Sequence, residues 1–259
     1  MSLPSRLLAR LERELGRGAG LVAILDYDGT LTPIVTSPRG AALAPSVRAT
    51  LARLAARERA RLAILSGRAL RDVRARVGVD DVIYGGCHGL EIEGGGLRFR
   101  HPRARASRVA AARRALAAGA SSIPGAGVEF KGLAVSLQYR RVPATHHKDV
   151  RVLAARVGRR LPGLAIIPGN RVYDFVPRVT WNKGAAARWI ARRVGPALGP
   201  GHPIVLYAGD DATDETAFVA LSASGVTVHV GAGPTAAEYA LRGVGELHAL
   251  LRWLTRVIG

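Results

Sequence analysis

A short apolar run that ends in two acidic residues constrains this sequence more than any other feature. Residues 21–25, LVAIL, have the length and the unbroken apolar character of a strand buried in a parallel sheet. Asp26 and Asp28 follow at once, with Gly29 after them. Such a turn suits the carboxyl end of a strand, where open α/β sheets bind their ligands. We therefore expect a parallel α/β sheet with a functional site at this edge.

Three further apolar runs, each ending in polar residues, predict neighbouring strands of the same sheet. They lead into Ser66, into a glycine-rich loop that carries His88, and into Asp210 and Asp211. Because parallel strands joined by right-handed crossovers share one carboxyl edge, we expect these residues to meet at one rim. Lys183 stands at a predicted helix start, where a cation is electrostatically unfavourable, and this indicates an anion bound there.

The side chains collected at this rim suit phosphoryl transfer. One carboxylate of the Asp26 and Asp28 pair can attack an electrophile, while the other passes protons. Carboxylates at the strand ends supply oxygen ligands for Mg²⁺, and Ser66 and Lys183 can hold the remaining phosphate oxygens. A solvated acidic turn, a capping serine and a structural histidine explain each group taken alone, but not their convergence on one edge.

The composition indicates a globular protein, and whether its charge has a partner or only reflects an arginine-rich composition is left open. The 259 residues are 48% hydrophobic and include one cysteine, Cys87, which indicates a reducing, cytoplasmic location. No apolar run reaches the roughly 20 residues of a membrane span, so we expect no membrane partner. The net charge of +19 favours anionic partners, but the arginines are scattered and no nucleic-acid-binding motif is visible. We expect a monomer that binds no nucleic acid.

An insert interrupts the parallel pattern in the middle of the chain. Its predicted order of helix, strand, strand, helix, strand, strand is typical of a small antiparallel α+β module. We predict core segments at residues 1–103 and 178–259, with residues 104–177 forming an inserted cap domain. Such a cap is expected to close over the substrate and exclude water.

Four motifs, in this order, resemble those of the haloacid dehalogenase-like phosphatases. They are the run DYDGTL, the strand-end Ser66, Lys183, and the run GDDATDE. Three further runs, GCHGLEIE, EFKGLAVSLQYR and WNKGAAARW, resemble the trehalose-6-phosphate phosphatase family in particular. The resemblance implies a Rossmann-like core with an inserted α/β cap. It also implies Mg²⁺-dependent hydrolysis of trehalose 6-phosphate to trehalose and phosphate, as in trehalose biosynthesis.

The resemblance implies a role for each matching residue. Asp26 would attack phosphorus and form an aspartyl-phosphate, and Asp28 would protonate the leaving oxygen and then activate water. Ser66 and Lys183 would hold the transferring phosphoryl group. The metal site would consist of Asp26, the main-chain carbonyl of Asp28, and Asp210, supported by Asp211 and Asp214. The sugar would be bound by Arg68, His88 and Glu91 on the core and by Glu129, Lys131, Arg140 and Asp174 on the cap.

Three cap positions depart from the family pattern. Gln138 stands where the family usually has histidine, Asp174 where it has glutamate, and Val176 where it has arginine. These changes leave open another sugar phosphate, such as sucrose 6-phosphate or mannosyl-3-phosphoglycerate, as the substrate. An inactive sugar-phosphate sensor and a basic nucleic-acid binder are the non-enzymatic alternatives.

Overall fold

The structure is a computed structural model that describes residues 3–35, 40, 42–199 and 201–258. It divides into two compact units. The first unit consists of Met1–Val35, Ala41–Phe99 and Trp181–Gly259, and the second of Thr36–Gly40 and Arg100–Thr180. The insert expected at residues 104–177 falls within the second unit, and its role as a cap stays a prediction.

The described residues form twelve strands and eight α-helices. In chain order, the strands are β1 (Leu21–Leu25), β2 (Ala60–Leu65), β3 (Val82–Gly86), β4 (Glu91–Gly94), β5 (Leu97–Arg100), β6 (Gly127–Phe130), β7 (Val135–Gln138), β8 (Leu164–Gly169), β9 (Val172–Pro177), β10 (Ile204–Gly209), β11 (Gly225–Val230) and β12 (Tyr239–Leu241). The α-helices are α1 (Ser5–Gly16), α2 (Pro45–Ala55), α3 (Leu70–Val77), α4 (Ala106–Ala120), α5 (His147–Arg160), α6 (Lys183–Val194), α7 (Ala212–Leu221) and α8 (Val244–Val257). Short 3-10 helices cover Cys87–Gly89, Ala144–His146 and Gly195–Leu198.

The first unit is built on an eight-stranded sheet in the order β12-β11-β10-β1-β2-β3-β4-β5. The strands from β12 to β3 run parallel, and β4 pairs antiparallel with β3. β1 lies between β10 and β2, and each of its residues is buried. The carboxyl ends of these three strands consequently lie at one edge of the sheet. The predicted α/β class with a parallel core sheet is confirmed.

Hydrophobic residues cover both faces of this sheet, and the alternation along β1 distributes them. Leu21, Ala23 and Leu25 belong to a cluster with residues of α1, α2, α3 and α8. Val22 and Ile24 belong to a second cluster, with residues of α6 and α7. A strand covered by helices on both faces needs apolar side chains at every position, which explains why β1 is an unbroken apolar run.

The second unit is an antiparallel sheet covered by two helices. Its strands lie in the order β6-β7-β9-β8, and each neighbouring pair is antiparallel. Residues of α4 and α5 pack with the sheet in one cluster that includes Leu116 and Phe175. The register places Glu129 opposite Ser136, and Ser136 opposite Asp174. Directly opposed residues share a face, so these three polar side chains lie side by side on the sheet.

Two elements differ from what periodicity predicts. The apolar spacing of residues 45–59 predicts a helix over that whole range, but α2 ends at Ala55. The chain turns there, and the Ala60 N–H donates to the Arg57 carbonyl oxygen at 3.0 Å just as β2 begins. The strand β12 escapes prediction because three residues are too few to show a period. Within the described residues, no helix is long and apolar enough to span a bilayer.

The centre of the parallel sheet provides a direct test of this packing. Ile24 is fully buried on β1, so Ile24→Ala should lower the free energy of unfolding by about 2–5 kcal/mol through lost burial and the cavity left behind. Equilibrium denaturation in urea measures this change. Val219→Ala is the control, because Val219 is 64% exposed on α7 of the same unit. Equal costs for the two substitutions would contradict the assigned core.

Candidate active site

Asp26 lies at the centre of a buried group of charged side chains. It directly follows β1, and its backbone N–H donates to the Ala208 carbonyl oxygen on β10 at 2.9 Å. Lys183, the first residue of α6, donates from Nζ to Asp26 Oδ1 at 2.7 Å and to Asp214 Oδ1 at 2.8 Å. The sequence predicted an anion beside this lysine. Two carboxylates of the protein itself supply that negative charge.

Asp214 is fully buried and holds this group together. Its Oδ1 also accepts the Tyr207 hydroxyl at 2.6 Å, and its Oδ2 accepts the Asp211 N–H at 3.1 Å. Asp211 and Asp214 form the capping box of α7, in which the side chain of each accepts the backbone N–H of the other, and Asp211 Oδ1 also accepts the Ala212 N–H at 2.7 Å. Because both oxygens of Asp214 already accept hydrogen bonds, the geometry favours a supporting role for it rather than direct contact with a metal.

Asp210 faces the same group from the end of β10. Its Oδ1 accepts the Thr30 hydroxyl at 2.7 Å. Gly29 has a φ of +88°, and a Cβ at that position would lie 1.9 Å from Asp210 Oδ2. Glycine is therefore required both for the left-handed backbone and for the close approach. Carboxylate oxygens of Asp26, Asp210 and Asp214 all lie within 4.8 Å of one another.

Burial and crowding shift the proton affinities of these groups. Burial raises the pKa of Asp26 well above its ordinary value, the nearby Lys183 opposes the rise, and Asp214 and Asp210 add to it. The pKa of Asp210 rises to about 7, chiefly because the group is buried. Burial alone would lower the pKa of Lys183, but the Asp214 and Asp26 carboxylates raise it. The lysine therefore stays a cation.

The acidic group fits a hard divalent cation. Its oxygen donors are the carboxylates of Asp26 and Asp210, and the hydrogen-bonded Asp214 lies beside them as support. The ammonium of Lys183 offsets one of these three charges, so the buried group retains a capacity for further positive charge. Mg²⁺ prefers oxygen ligands, takes few carboxylates and keeps positions for water and phosphate. The donor set therefore suits Mg²⁺, which was the metal predicted from the sequence.

Asp28 is held by an arginine on the next strand's loop. Arg68 donates from Nε to Asp28 Oδ2 at 2.7 Å and from Nη2 to Asp28 Oδ1 at 2.5 Å. The Nη1 of the same guanidinium donates to Asp72 Oδ2 at 2.9 Å, and the guanidinium carbon lies 5.4 Å from the centre of the Tyr27 ring. Arg68 was predicted to bind the sugar, and in the structure its guanidinium contacts two carboxylates of the core.

Ser66 lies in the same loop as Arg68 and is hydrogen-bonded to the backbone of His88. Ser66 Oγ accepts the Arg68 N–H at 3.1 Å, and the Ser66 carbonyl oxygen accepts the His88 N–H at 2.9 Å. A Cβ at Gly67 would lie 2.8 Å from His88 Cε1, so glycine is needed for the ring to approach. Ser66 and His88 are buried, whereas Glu91, at the start of β4, is partly exposed.

Most of the predicted cap residues form a separate polar group in the second unit. Lys131 Nζ donates to Asp174 Oδ1 at 3.0 Å, and the Ser136 hydroxyl donates to the same oxygen. Gln138 Nε2 donates to Glu129 Oε2 at 2.8 Å. Two of the three departures from the family pattern, Gln138 and Asp174, therefore bond to neighbours within their own sheet.

The other two cap positions lie at the ends of this sheet region. Arg140 follows β7, and its Nε donates to the Asn170 carbonyl oxygen at 3.2 Å. Val176 is buried on β9, where an arginine would have to place its charge in the protein interior.

Four side chains that form hydrogen bonds with the predicted residues were missed at the level of sequence. They are Thr30, Asp72, Ser136 and Tyr207. Thr30 stands inside the acidic motif, so its position next to the aspartates is a usable signal. The others sit in ordinary strand or helix patterns, and only the folded structure brings them to their carboxylate or arginine partners.

Comparisons with known proteins agree with one another. The sequence model of a family described as trehalose-phosphatase matches residues 24–244. A trehalose-phosphate phosphatase of Mycobacterium marinum is 34% identical over 240 residues, which cover 88% of this chain and 60% of that protein. A Mycobacterium tuberculosis protein named an uncharacterized glycosyl hydrolase is 38% identical over 229 residues, covering 87% of this chain and 17% of that protein. This chain thus spans only part of the length of these curated relatives.

A solved structure shares the fold over nearly the whole chain. The C-terminal domain of Candida albicans trehalose-6-phosphate phosphatase superposes with a TM-score of 0.82 and covers 96% of each chain. Its sequence is 21% identical to this one. At that identity the likeness establishes the architecture, and the chemistry has to be argued from the residues above.

The contact between Gly29 and Asp210 can be tested by a matched pair of substitutions. Gly29→Ala should lower the rate of phosphate release from a phosphate ester by about 10²-fold, because the new Cβ displaces a carboxylate of the site. Gly18→Ala is the control, since Gly18 has the same φ of +88° and no atom within 4 Å of an added Cβ. Both variants carry the same backbone strain, so equal activities would show that the contact is unimportant.

Proposed function

The chain belongs to the trehalose-phosphatase family, and on that premise we propose that it is an Mg²⁺-dependent phosphatase that hydrolyses trehalose 6-phosphate to trehalose and phosphate. The observation that carries the proposal is the buried contact of Lys183 with Asp26 and Asp214, beside Asp210. A carboxylate fixed next to an ammonium and a set of oxygen donors is the arrangement that transfer of a dianionic group requires.

Asp26 is the proposed nucleophile. Lys183 donates to its Oδ1 and so orients the carboxylate for attack through Oδ2. In the first step Oδ2 bonds to phosphorus, the bond from phosphorus to the sugar oxygen breaks, and that oxygen takes a proton from Asp28. The products of this step are free sugar and an aspartyl-phosphate.

Water completes the reaction in the second step. Its oxygen bonds to phosphorus and its proton passes to Asp28, while the bond from phosphorus to Asp26 breaks. Phosphate leaves, and both carboxyl groups return to their starting forms. Ser66 and Lys183 are proposed to hold the phosphoryl oxygens through both steps, because a hydroxyl and an ammonium can donate to them.

The proposed metal site consists of Asp26, Asp210 and the main-chain carbonyl of Asp28, with Asp211 and Asp214 in support. A bound Mg²⁺ would supply charge neutralisation for the phosphoryl oxygens. The supporting pair is consistent with the capping box described above, since that box fixes the loop that carries Asp210.

Sugar recognition is assigned to a second set of residues. On the core we propose Arg68, His88 and Glu91, and on the second unit Glu129, Lys131, Arg140 and Asp174. Carboxylates and an ammonium suit the paired donors and acceptors of sugar hydroxyls. One observation favours a different sugar. Asp174 Oδ1 already accepts hydrogen bonds from both Lys131 and Ser136 of the second unit, which leaves this oxygen less able to bind a sugar hydroxyl. A phosphatase for sucrose 6-phosphate or mannosyl-3-phosphoglycerate is therefore the second candidate.

A substrate panel tests the sugar and the metal together. Phosphate release from trehalose 6-phosphate should exceed that from glucose 6-phosphate, sucrose 6-phosphate and mannosyl-3-phosphoglycerate by about 10²-fold in kcat/KM, because buried polar groups discriminate strongly against a mismatched hydroxyl pattern. A chelator should abolish the activity, and Mg²⁺ should restore it. Equal rates with all esters would refute the sugar assignment, and full activity in the chelator would refute the metal.

The nucleophile is tested by Asp26→Asn. The amide keeps an oxygen that can accept from Lys183 but is a poor nucleophile, so turnover should fall by at least about 10⁴-fold. Far-ultraviolet circular dichroism and thermal unfolding should show a folded protein, since the substitution removes a carboxylate that burial destabilises. Turnover close to that of the unmodified protein would place the nucleophile elsewhere.

A further inference from the structure

A series of ion pairs with alternating charges connects α3 to Asp28. Arg76 Nε donates to Asp72 Oδ1 at 3.0 Å and to Asp72 Oδ2 at 2.9 Å. Arg68 Nη1 donates to Asp72 Oδ2 at 2.9 Å, and the remaining donors of this guanidinium reach both oxygens of Asp28. The sequence motifs assign no role to Asp72 or Arg76.

The geometry of these ion pairs fixes the direction of the Asp28 carboxylate. Two parallel N–H donors on two carboxylate oxygens set both the distance and the plane of the acceptor, so the carboxylate cannot turn without breaking a bond. The Arg68 side chain that holds it is 8% exposed, whereas that of Asp28 is 38% exposed. The buried partner therefore positions the more exposed one.

The position of Arg68 depends in turn on Asp72. Asp72 and Arg76 are four positions apart on α3, a spacing that brings side chains together on a helix. Arg68 lies just before α3 begins, and its Nη1 reaches back onto the helix to Asp72. The Tyr27 ring, fully buried between the two acidic residues of the first motif, packs against the Arg68 guanidinium. The ring restricts movement of the guanidinium on one face. Asp72 binds Nη1, the guanidinium nitrogen that does not contact Asp28.

We propose that Asp72 is a positioning residue that acts through Arg68 to aim the Asp28 carboxylate at the water whose proton it takes in the second step. The inference rests on the proposed function and concerns its second step, in which the Asp28 carboxylate takes a proton from the attacking water. A carboxylate free to rotate spends less time in line with the attacking water, so the second step is slowed.

Leaving groups of different basicity separate the two proton transfers. The alkoxide of a sugar is strongly basic and needs a proton as it leaves, whereas p-nitrophenolate is weakly basic and leaves without one. With p-nitrophenyl phosphate as the probe, the first step needs no proton donor and proceeds with Asp28 already a carboxylate. Asp28 is therefore needed only in the second step, as the base that takes a proton from the water attacking the aspartyl-phosphate. A disturbed Asp28 should slow the release of phosphate and leave the first release of nitrophenolate unchanged.

The test variant is Asp72→Asn, assayed with Mg²⁺ by rapid mixing. The first-turnover release of nitrophenolate should match that of the unmodified protein, while the later release of phosphate should be slower by at least about tenfold. Acid quenching should trap a larger fraction of phosphorylated protein, and Asp72→Glu, which keeps the charge, should recover most of the rate.

Two further variants control for charge and for folding. Asp80→Asn removes the same charge from an exposed position beyond the end of α3 and should behave as the unmodified protein. Arg76→Gln removes the donor that braces Asp72 and should slow phosphate release in the same direction as Asp72→Asn. It tests the inference independently if Asp72→Asn is poorly folded.

The outcomes separate this inference from the function it rests on. Equal slowing of both releases, or lower thermal stability with the ratio of the two rates unchanged, would reduce Asp72 to a structural ion pair and overturn the proposal. Turnover of p-nitrophenyl phosphate without turnover of trehalose 6-phosphate would refute the sugar substrate. The rates measured with Asp72→Asn would still test the positioning role of Asp72. Turnover without any trapped phosphorylated protein would refute the two-step mechanism itself.

Discussion

The contact of one buried lysine with two buried carboxylates underlies the rest of the structure. Lys183 Nζ lies 2.7 Å from Asp26 Oδ1 and 2.8 Å from Asp214 Oδ1, and the lysine and both acids are buried. Removing such charges from water is costly, and the cost is offset only when each charge has partners at hydrogen-bonding distance. The contact therefore holds only if β1, α6 and α7 keep their relative positions, which the parallel sheet and its helical layers impose.

This contact explains why the surrounding residues have the identities they do. A cation in the first turn of α6 opposes the helix dipole, and the carboxylates of Asp26 and Asp214 compensate for it. Asp210 adds a third negative charge within the same small volume, which Gly29 leaves open. The group is thus arranged to gain stability from a divalent cation and from the oxygens that such a cation brings with it.

Much of the core site could be predicted because Asp26, Ser66 and Asp210 each come just after a short apolar run. The topology of a parallel sheet then brings Asp26, Ser66 and Asp210 to one edge without knowledge of any side-chain contact. The partner of Arg68 could not be predicted in this way. Its guanidinium reaches from one loop to Asp28 on another and to Asp72 on a helix, and a long side chain at a loop has many partners of similar energy in a sequence.

The residues proposed to bind the sugar were harder to predict for a different physical reason. A one-carbon change from glutamate to aspartate alters reach and not charge, so the sequence reveals the substitution at Asp174 but not its consequence. In the structure the shorter acid accepts from Lys131 and Ser136, and Ser136 becomes its neighbour only through the pairing of β7 with β9. Cross-strand contacts of this kind depend on register, which the alternating pattern of a short strand specifies weakly.

The central claim is that a side-chain carboxylate at the end of β1 becomes transiently bonded to phosphorus. The most direct measurement is acid quenching during turnover of an isotopically labelled phosphate ester, followed by peptide mapping. The account predicts that the label is recovered as an acyl-phosphate on the peptide that contains Asp26. Recovery of the label on another residue, or turnover that never yields a covalent phosphate, would contradict it.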